Sequence, residues 1–132
     1  MKLKEFNPNK TFIIAEIGNN HEGDYQLAKK MVNLASKSGA DAVKFQTYKT
    51  SFFINKNDKK RFKKLKSFEL SYSQFKNLKK LANKLGLFFI STPFDLESAN
   101  FLTKNSDIIK IASSDNNFFK LIELVLKSKK PV

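Results

Sequence analysis

The chain has 132 residues, 41% of them hydrophobic, which is enough for about one ordinary domain with its own core. It contains no cysteine, so a disulfide scaffold and thiolate metal sites are excluded, and with 4 Gly and 3 Pro it is neither disordered nor collagen-like in composition. The net charge is +13, which raises nucleic acid or an anionic membrane as partners, but the only arginine among the 25 cations is Arg61. Arginine is the residue that grips phosphates and bases with two parallel bonds, so its scarcity argues against a dedicated nucleic-acid surface.

Residues 1–8 lack an apolar signal core, and no apolar run approaches the roughly 18 residues that cross a bilayer. The expectation is a cytoplasmic protein with no membrane partner. The first apolar run, residues 12–15, is short and rich in β-formers, and reads as a buried strand that ends in Glu16. Next comes a polar loop with the only histidine, His21, and the turn residue Gly23. His21 has two readings from position alone, a loop histidine bonded to backbone or a substrate contact. Asp24 can cap a helix whose apolar positions are Leu27, Met31, Leu34 and Ala35, and Gly39 comes after it.

The second strand, residues 42–45, carries Lys44 and runs on into Gln46 and Thr47. Lys44 and Gln46 are two apart and face the same way, as Glu16 does with Ile14. Residues 48–70 show no clean period and hold a basic run that includes Arg61, which reads as a long solvated loop. Ser71 and Gln74 make a capping box ahead of Leu78, Leu81, Ala82 and Leu85, with Gly86 after them. A third strand, residues 87–90, leads into Ser91 and Thr92. Asp95 can cap a helix with Leu96, Ala99 and Leu102 on one face. A fourth strand, residues 108–112, carries Lys110 and leads to Ser113, Ser114 and Asp115. Asn116 or Asn117 can cap a last helix bearing Leu121, Ile122 and Val125, and Pro131 opens a fifth strand.

This order predicts an α/β fold of parallel β/α units. Ligands of such sheets bind at the carboxyl ends of the strands, where the polar residues gather here. Lys44 and Lys110 each interrupt an apolar strand, where an unpaired ammonium is costly. Either each finds a carboxylate such as Glu16, or reaches the rim, or the two together hold an anionic ligand. Phosphate loops of the Walker type and dinucleotide-binding glycine fingerprints are absent from the sequence.

Four segments resemble motifs of the N-acetylneuraminate (sialic acid) synthase family. They are Ala15-Glu16-Ile17-Gly18-Asn19-Asn20-His21-Glu22-Gly23-Asp24, Val43-Lys44-Phe45-Gln46-Thr47, Phe89-Ile90-Ser91-Thr92-Pro93-Phe94-Asp95 and Ile109-Lys110-Ile111-Ala112-Ser113-Ser114-Asp115. The resemblance implies the N-terminal half of a TIM (β/α)8 barrel, about four units plus the start of strand five. A whole barrel takes roughly 250 residues. The C-terminal half and the family's antifreeze-like domain would then lie outside this chain, a fragment or truncated product expected to be inactive alone.

The resemblance also implies condensation of phosphoenolpyruvate with an N-acetylated amino-sugar aldehyde such as N-acetylmannosamine, to give a nonulosonic acid and phosphate. The implied catalytic residues are Glu16, Lys44 and Lys110. Gln46, Thr92, Ser113, Asp115 and His21 are the implied substrate contacts. The implied cofactor is a divalent metal, Mn²⁺ or Mg²⁺, with histidine ligands from the missing half and none within this chain. The full-length form would be a homodimer. Legionaminic and pseudaminic acid synthases share these motifs and stand as alternatives. A small basic nucleic-acid-binding module of flavodoxin-like shape is the reading from another class.

Overall fold

A computed structural model describes residues 9–132. Residues 1–8, on which the reading of the N-terminus rests, lie outside the described residues. Four parallel strands form one sheet in the order β1-β2-β3-β4: β1 (Ile14–Gly18), β2 (Ala42–Thr47), β3 (Phe88–Pro93) and β4 (Ile108–Ile109). Between and after them come α1 (Tyr25–Lys37), α2 (Thr50–Phe53), α3 (Lys59–Phe68), α4 (Tyr72–Lys84), α5 (Leu96–Asn105) and α6 (Phe119–Lys127). Strand order therefore matches chain order without a switch point, the arrangement of a barrel rather than of a doubly wound sheet.

The pleat sorts each strand into two faces. Ile17, Val43, Phe45 and Phe89 pack with Ala28, Val32, Ala35, Phe75, Leu78 and Ala82 from α1 and α4. Ile109 packs with Ala99 and Leu102 of α5 and Leu121 and Val125 of α6. Helices thus cover one face. On the other, Ala42, Phe88 and Ile90 cluster with Phe12 and Ile108 and receive no helix. This second face corresponds to the lumen of a barrel.

Local signals explain the elements. Asp24 accepts from the N–H of Gln26 and Leu27 and starts α1. Ser71 and Gln74 form the reciprocal capping box of α4, and Asp95 caps α5 through Ser98 N–H. Gly39 and Gly86 come after α1 and α4 in the left-handed conformation. No fifth strand forms at Pro131 among the described residues, although its carbonyl accepts the Ile109 N–H at 3.0 Å.

Five expectations need correction. The first strand covers residues 14–18, not 12–15, because pairing with β2 sets its limits. The fourth is only two residues long, since the ladder with β3 pairs only Ile108 and Ile109. Helix α1 buries Ala28, Val32 and Ala35, and Leu34 is exposed at the free side of β1. Helix α6 starts at Phe119 behind an N-cap residue, Phe118, that makes no side-chain cap bond, so Asn116 and Asn117 do not serve. Finally, residues 48–70 are not a loop without structure but contain α2 and α3.

That connection is a strap fastened at the carboxyl edge of the sheet. Glu69 accepts from the Thr50 N–H, the Thr50 hydroxyl, Lys49 Nζ and Lys66 Nζ. Tyr48 O–H donates to the Leu65 carbonyl. Asp95, besides capping α5, accepts the Lys49 N–H at 2.8 Å and so joins the ends of β2 and β3. Of the basic run, Arg61 lies over the Phe53 ring, Lys64 over Phe68, and Lys66 pairs with Glu69.

Apolar side chains stand exposed along both outer strands. Ile13, Ile14 and Leu34 do so beside β1, and Phe119, Leu126 and Val132 beside β4.

The strap can be tested at two of its residues. Gly23 has φ +86°, and a Cβ there would sit 2.0 Å from the Ser67 carbonyl oxygen at the end of α3. Replacing Gly23 by Ala should cost at least about 1–3 kcal/mol in urea unfolding and speed proteolysis within α3. Unchanged stability and cleavage would contradict the close approach. Burial opposes the charge on Glu69, but the bonds from Thr50 and Lys66 outweigh it and hold its pKa below the usual 4.5. Its stabilising effect is therefore full above pH 4.5 and fades as pH falls through the lower folded value. Glu69→Gln should be less stable than the parent at pH 7, with the gap closing below pH 4.5.

Candidate active site

Strands β1, β2 and β3 bring Glu16, Lys44, Gln46 and Thr92 onto the helix-free face at the carboxyl edge. Glu16 is the register partner of Lys44, Lys44 of Ile90, and Gln46 of Thr92. Lys110 lies just after β4, and its backbone N–H still bonds to the Ser91 carbonyl at 3.0 Å, which sets it beside Thr92. Five of the eight expected site residues thus share one surface.

The two lysines differ. Lys44 Nζ lies 2.6 Å from Glu16 Oε1, with its side chain 20% exposed and that of Glu16 59% exposed. A pair so open to water contributes little to stability, at most about 1 kcal/mol. Its consequence is positional, since each charge fixes the other across β1 and β2. Lys110 is exposed and lies beyond the strand that it was expected to interrupt. The expected desolvation cost is therefore absent there. Its Nζ donates to the Ile111 carbonyl at 2.5 Å, and among the described residues no acid pairs with it. Lys44 thus shares its charge with a water-exposed carboxylate, whereas Lys110 has no acid partner among the described residues.

The remaining expected residues sit elsewhere. Ser113 and Asp115 lie in a 3-10 turn after β4 (Ser113–Asp115), with Ser113 exposed and Asp115 Oδ2 buried without a partner. His21 is 1% exposed and its ring centroid is 6.1 Å from that of Phe45, a residue of the helix-covered core. The structure therefore sets His21 behind the sheet rather than beside Lys44. The backbone reading of this residue holds in part. Its Nδ1 accepts the Gly23 N–H at 3.1 Å, which puts the proton of the neutral ring on Nε2, and that nitrogen is buried without a partner.

Not every polar residue at the edge is available. Thr47 and Ser91 bond to each other at 2.7 Å, and Ser91 donates to the Phe45 carbonyl, all buried on the helix side. Sequence reasoning passed over Asn19, whose Nδ2 donates to Gln46 Oε1 at 2.8 Å. The signal available was an Asn in the loop after β1, and only the crossing of that loop over β2 reveals its target.

No cluster of three or more potential metal ligands occurs among the described residues. No helix among them is long and apolar enough to cross a membrane.

Burial lowers the pKa of His21 from its ordinary 6.5, with nearby Asp24 opposing. The neutral ring is thus favoured by folding. That contribution is full above pH 6.5 and is lost as pH falls through the lower folded value. An NMR titration of the ring should give a midpoint below 6.5, and a midpoint at or above 6.5 would contradict the burial.

Known proteins resemble this chain in sequence and fold. An uncharacterized protein of Methanocaldococcus jannaschii is 50% identical over 123 residues, which is 92% of this chain and 36% of that protein. The N,N'-diacetyllegionaminic acid synthase of Legionella pneumophila is 47% identical over 104 residues, 69% of this chain and 29% of its own length. The chain thus spans about a third of the curated relatives it matches. The crystal structure of the N-acetylneuraminic acid (sialic acid) synthetase of Leptospira borgpetersenii, in complex with citrate, superposes with a TM-score of 0.86 at 33% identity. That match covers 97% of this chain and 46% of the synthetase, so the four β/α units correspond to the N-terminal half of a (β/α)8 barrel. The NeuB family model matches residues 31–132, and the chain belongs to the NeuB family of sialic-acid-type synthases.

Proposed function

We propose that this chain supplies the phosphoenolpyruvate-holding half of a nonulosonic acid synthase. The observation that carries the reading is one sheet face. Lys44 and Lys110 flank Gln46 and Thr92 at the carboxyl edge of parallel strands, in a member of the NeuB family. Phosphoenolpyruvate has two anionic groups, a phosphate and a carboxylate. Two ammonium groups, one on β2 and one just past β4 with β3 between them, suit such a ligand, and charge-assisted bonds are the strong ones. The Thr92 hydroxyl would add a hydrogen bond.

In this reading carbon 3 of phosphoenolpyruvate forms a bond to the aldehyde carbon of the amino sugar. The aldehyde oxygen takes a proton and becomes a hydroxyl. Water adds at carbon 2 and releases one proton; as the bond from carbon 2 to the phosphate oxygen breaks, the new hydroxyl passes its proton to the departing phosphate and carbon 2 becomes the ketone. The products are a 2-keto acid and phosphate, so atoms and charges balance. Lys44 and Lys110 offset the charge on the phosphate as it leaves. Glu16, held by Lys44, is the carboxylate on this face that can pass a proton between water and the aldehyde oxygen.

The divalent metal implied by the family finds no ligand set here. Glu16 is the one strand carboxylate on this face among the described residues, it is paired with Lys44, and His21 lies behind the sheet.

The aldehyde is an N-acetylated amino sugar in this reading. The 47% identity to a diacetyllegionaminic acid synthase supports a diacetamido sugar as a second candidate beside N-acetylmannosamine.

The test is phosphate release by a full-length enzyme carrying these residues, with phosphoenolpyruvate and a panel of amino-sugar aldehydes. Lys44→Met and Lys110→Met should each lower kcat/KM for phosphoenolpyruvate by about 10²- to 10³-fold, the range seen when a charge-stabilising donor is removed. Near-normal turnover in both variants would overturn the assignment.

A further inference from the structure

We infer that Asn19 is a positioning residue, which holds the amide of Gln46 so that its NH2 group faces the ligand. The inference rests on the synthase reading for the identity of that ligand and on geometry for everything else.

The geometry begins with a bulge. Glu16 pairs with Lys44 and Gly18 with Phe45, so Ile17 is an extra residue in β1. A bulge bends its strand and re-aims the residues beyond it. Here Gly18 takes φ +54°, a left-handed value that suits glycine, and a Cβ on it would lie 3.9 Å from Gln46 Nε2. The chain then crosses the end of β2, and Asn19 Nδ2 donates to Gln46 Oε1 at 2.8 Å.

This bond decides which end of the Gln46 amide is offered. Oε1 is occupied. Nε2 donates to no group among the described residues and is not among the sealed polar atoms. A glutamine amide carries an acceptor at one end and two donors at the other. Left alone it could present either. With Asn19 in place it presents donors to the helix-free face, beside Lys44 and Thr92.

The Asn19 side chain makes no other hydrogen bond among the described residues. Its Oδ1 is buried with no partner, an arrangement that is costly in a folded chain. Such breaches of local rules concentrate at functional sites. The ligand group that fits is an acceptor oxygen of the aldehyde substrate, and phosphoenolpyruvate is left to the lysines.

The test uses the full-length enzyme with Asn19→Ala, Asn19→Asp, Gln46→Ala, Gln46→Glu and the double variant Asn19→Ala/Gln46→Ala. Asn19→Asp keeps the shape and turn preference but turns the donor into an acceptor, so Gln46 must swing its NH2 inward. It should raise KM for the aldehyde at least tenfold, while KM for phosphoenolpyruvate stays close to the parent. Asn19→Ala should do the same, and the double variant should be no worse than Gln46→Ala. A near-parental Asn19→Asp enzyme, or a double variant worse than Gln46→Ala by the full Asn19→Ala factor, would overturn the role. If the Asn19 variants do not fold, Gln46→Glu decides. It keeps an acceptor for Asn19 but offers oxygen outward, so a tenfold rise in aldehyde KM is expected and a parental value refutes the inference. A parent enzyme that releases no phosphate with any aldehyde in the panel defeats the synthase reading itself. An active parent with indifferent variants defeats only the role of Asn19.

Discussion

The site depends on the two-residue alternation of β2. Val43 and Phe45 point into the helix-covered core, so Lys44 and Gln46 must point the other way. A slip of one residue would bury the ammonium of Lys44 among Phe75, Leu78 and Phe89 and put Phe45 on the ligand face. The cost of burying an unpaired charge among aromatic rings forbids that register. Phe45, stacked on Phe89 at 5.5 Å and edge-on to Phe75, is thus as necessary to the site as Lys44. The core sets the register, and the register sets the chemistry.

The neighbours of β2 then complete the surface. Pairing with β1 sets Glu16 against Lys44, and pairing with β3 sets Thr92 against Gln46. The carboxyl edge is held by groups that take no part in the proposed reaction. Asp95 bonds the Lys49 backbone and the start of α5, Glu69 gathers Thr50, Lys49 and Lys66, and Thr47 locks to Ser91. These bonds restrain the loops in which a ligand site of a parallel sheet must lie, and they do so from behind, leaving the face open.

Charge has a similar division of labour. An excess of lysine is what a polyanion-binding surface would show. Part of the basic run is engaged locally, by the Phe53 and Phe68 rings and by Glu69, and this accounts for those cations as helix-stabilising contacts. The cations that matter to the proposed chemistry are two, one on a strand and one just past a strand.

Much of this was readable from residues alone. The alternation of short apolar runs with 3.6-residue stripes specified four β/α units, because both periods arise from backbone geometry. Asp24, the Ser71–Gln74 box and Asp95 marked helix starts, because their bonds are local. The motifs at four strand ends identified the family. Other features required the tertiary structure. Residues 48–70 hold two helices: Asp58 caps α3 through the Arg61 N–H, a local signal, and only the folded chain shows Glu69 and Tyr48 fastening the strap. The fourth strand stopped at Ile109 because a strand lasts only as long as its ladder. His21 went behind the sheet to meet Phe45, and Asn19 reached Gln46 across 27 positions of sequence. Local patterns record what a residue does to its own backbone. They carry no record of which distant partner a bulge and a left-handed glycine will bring within 2.8 Å.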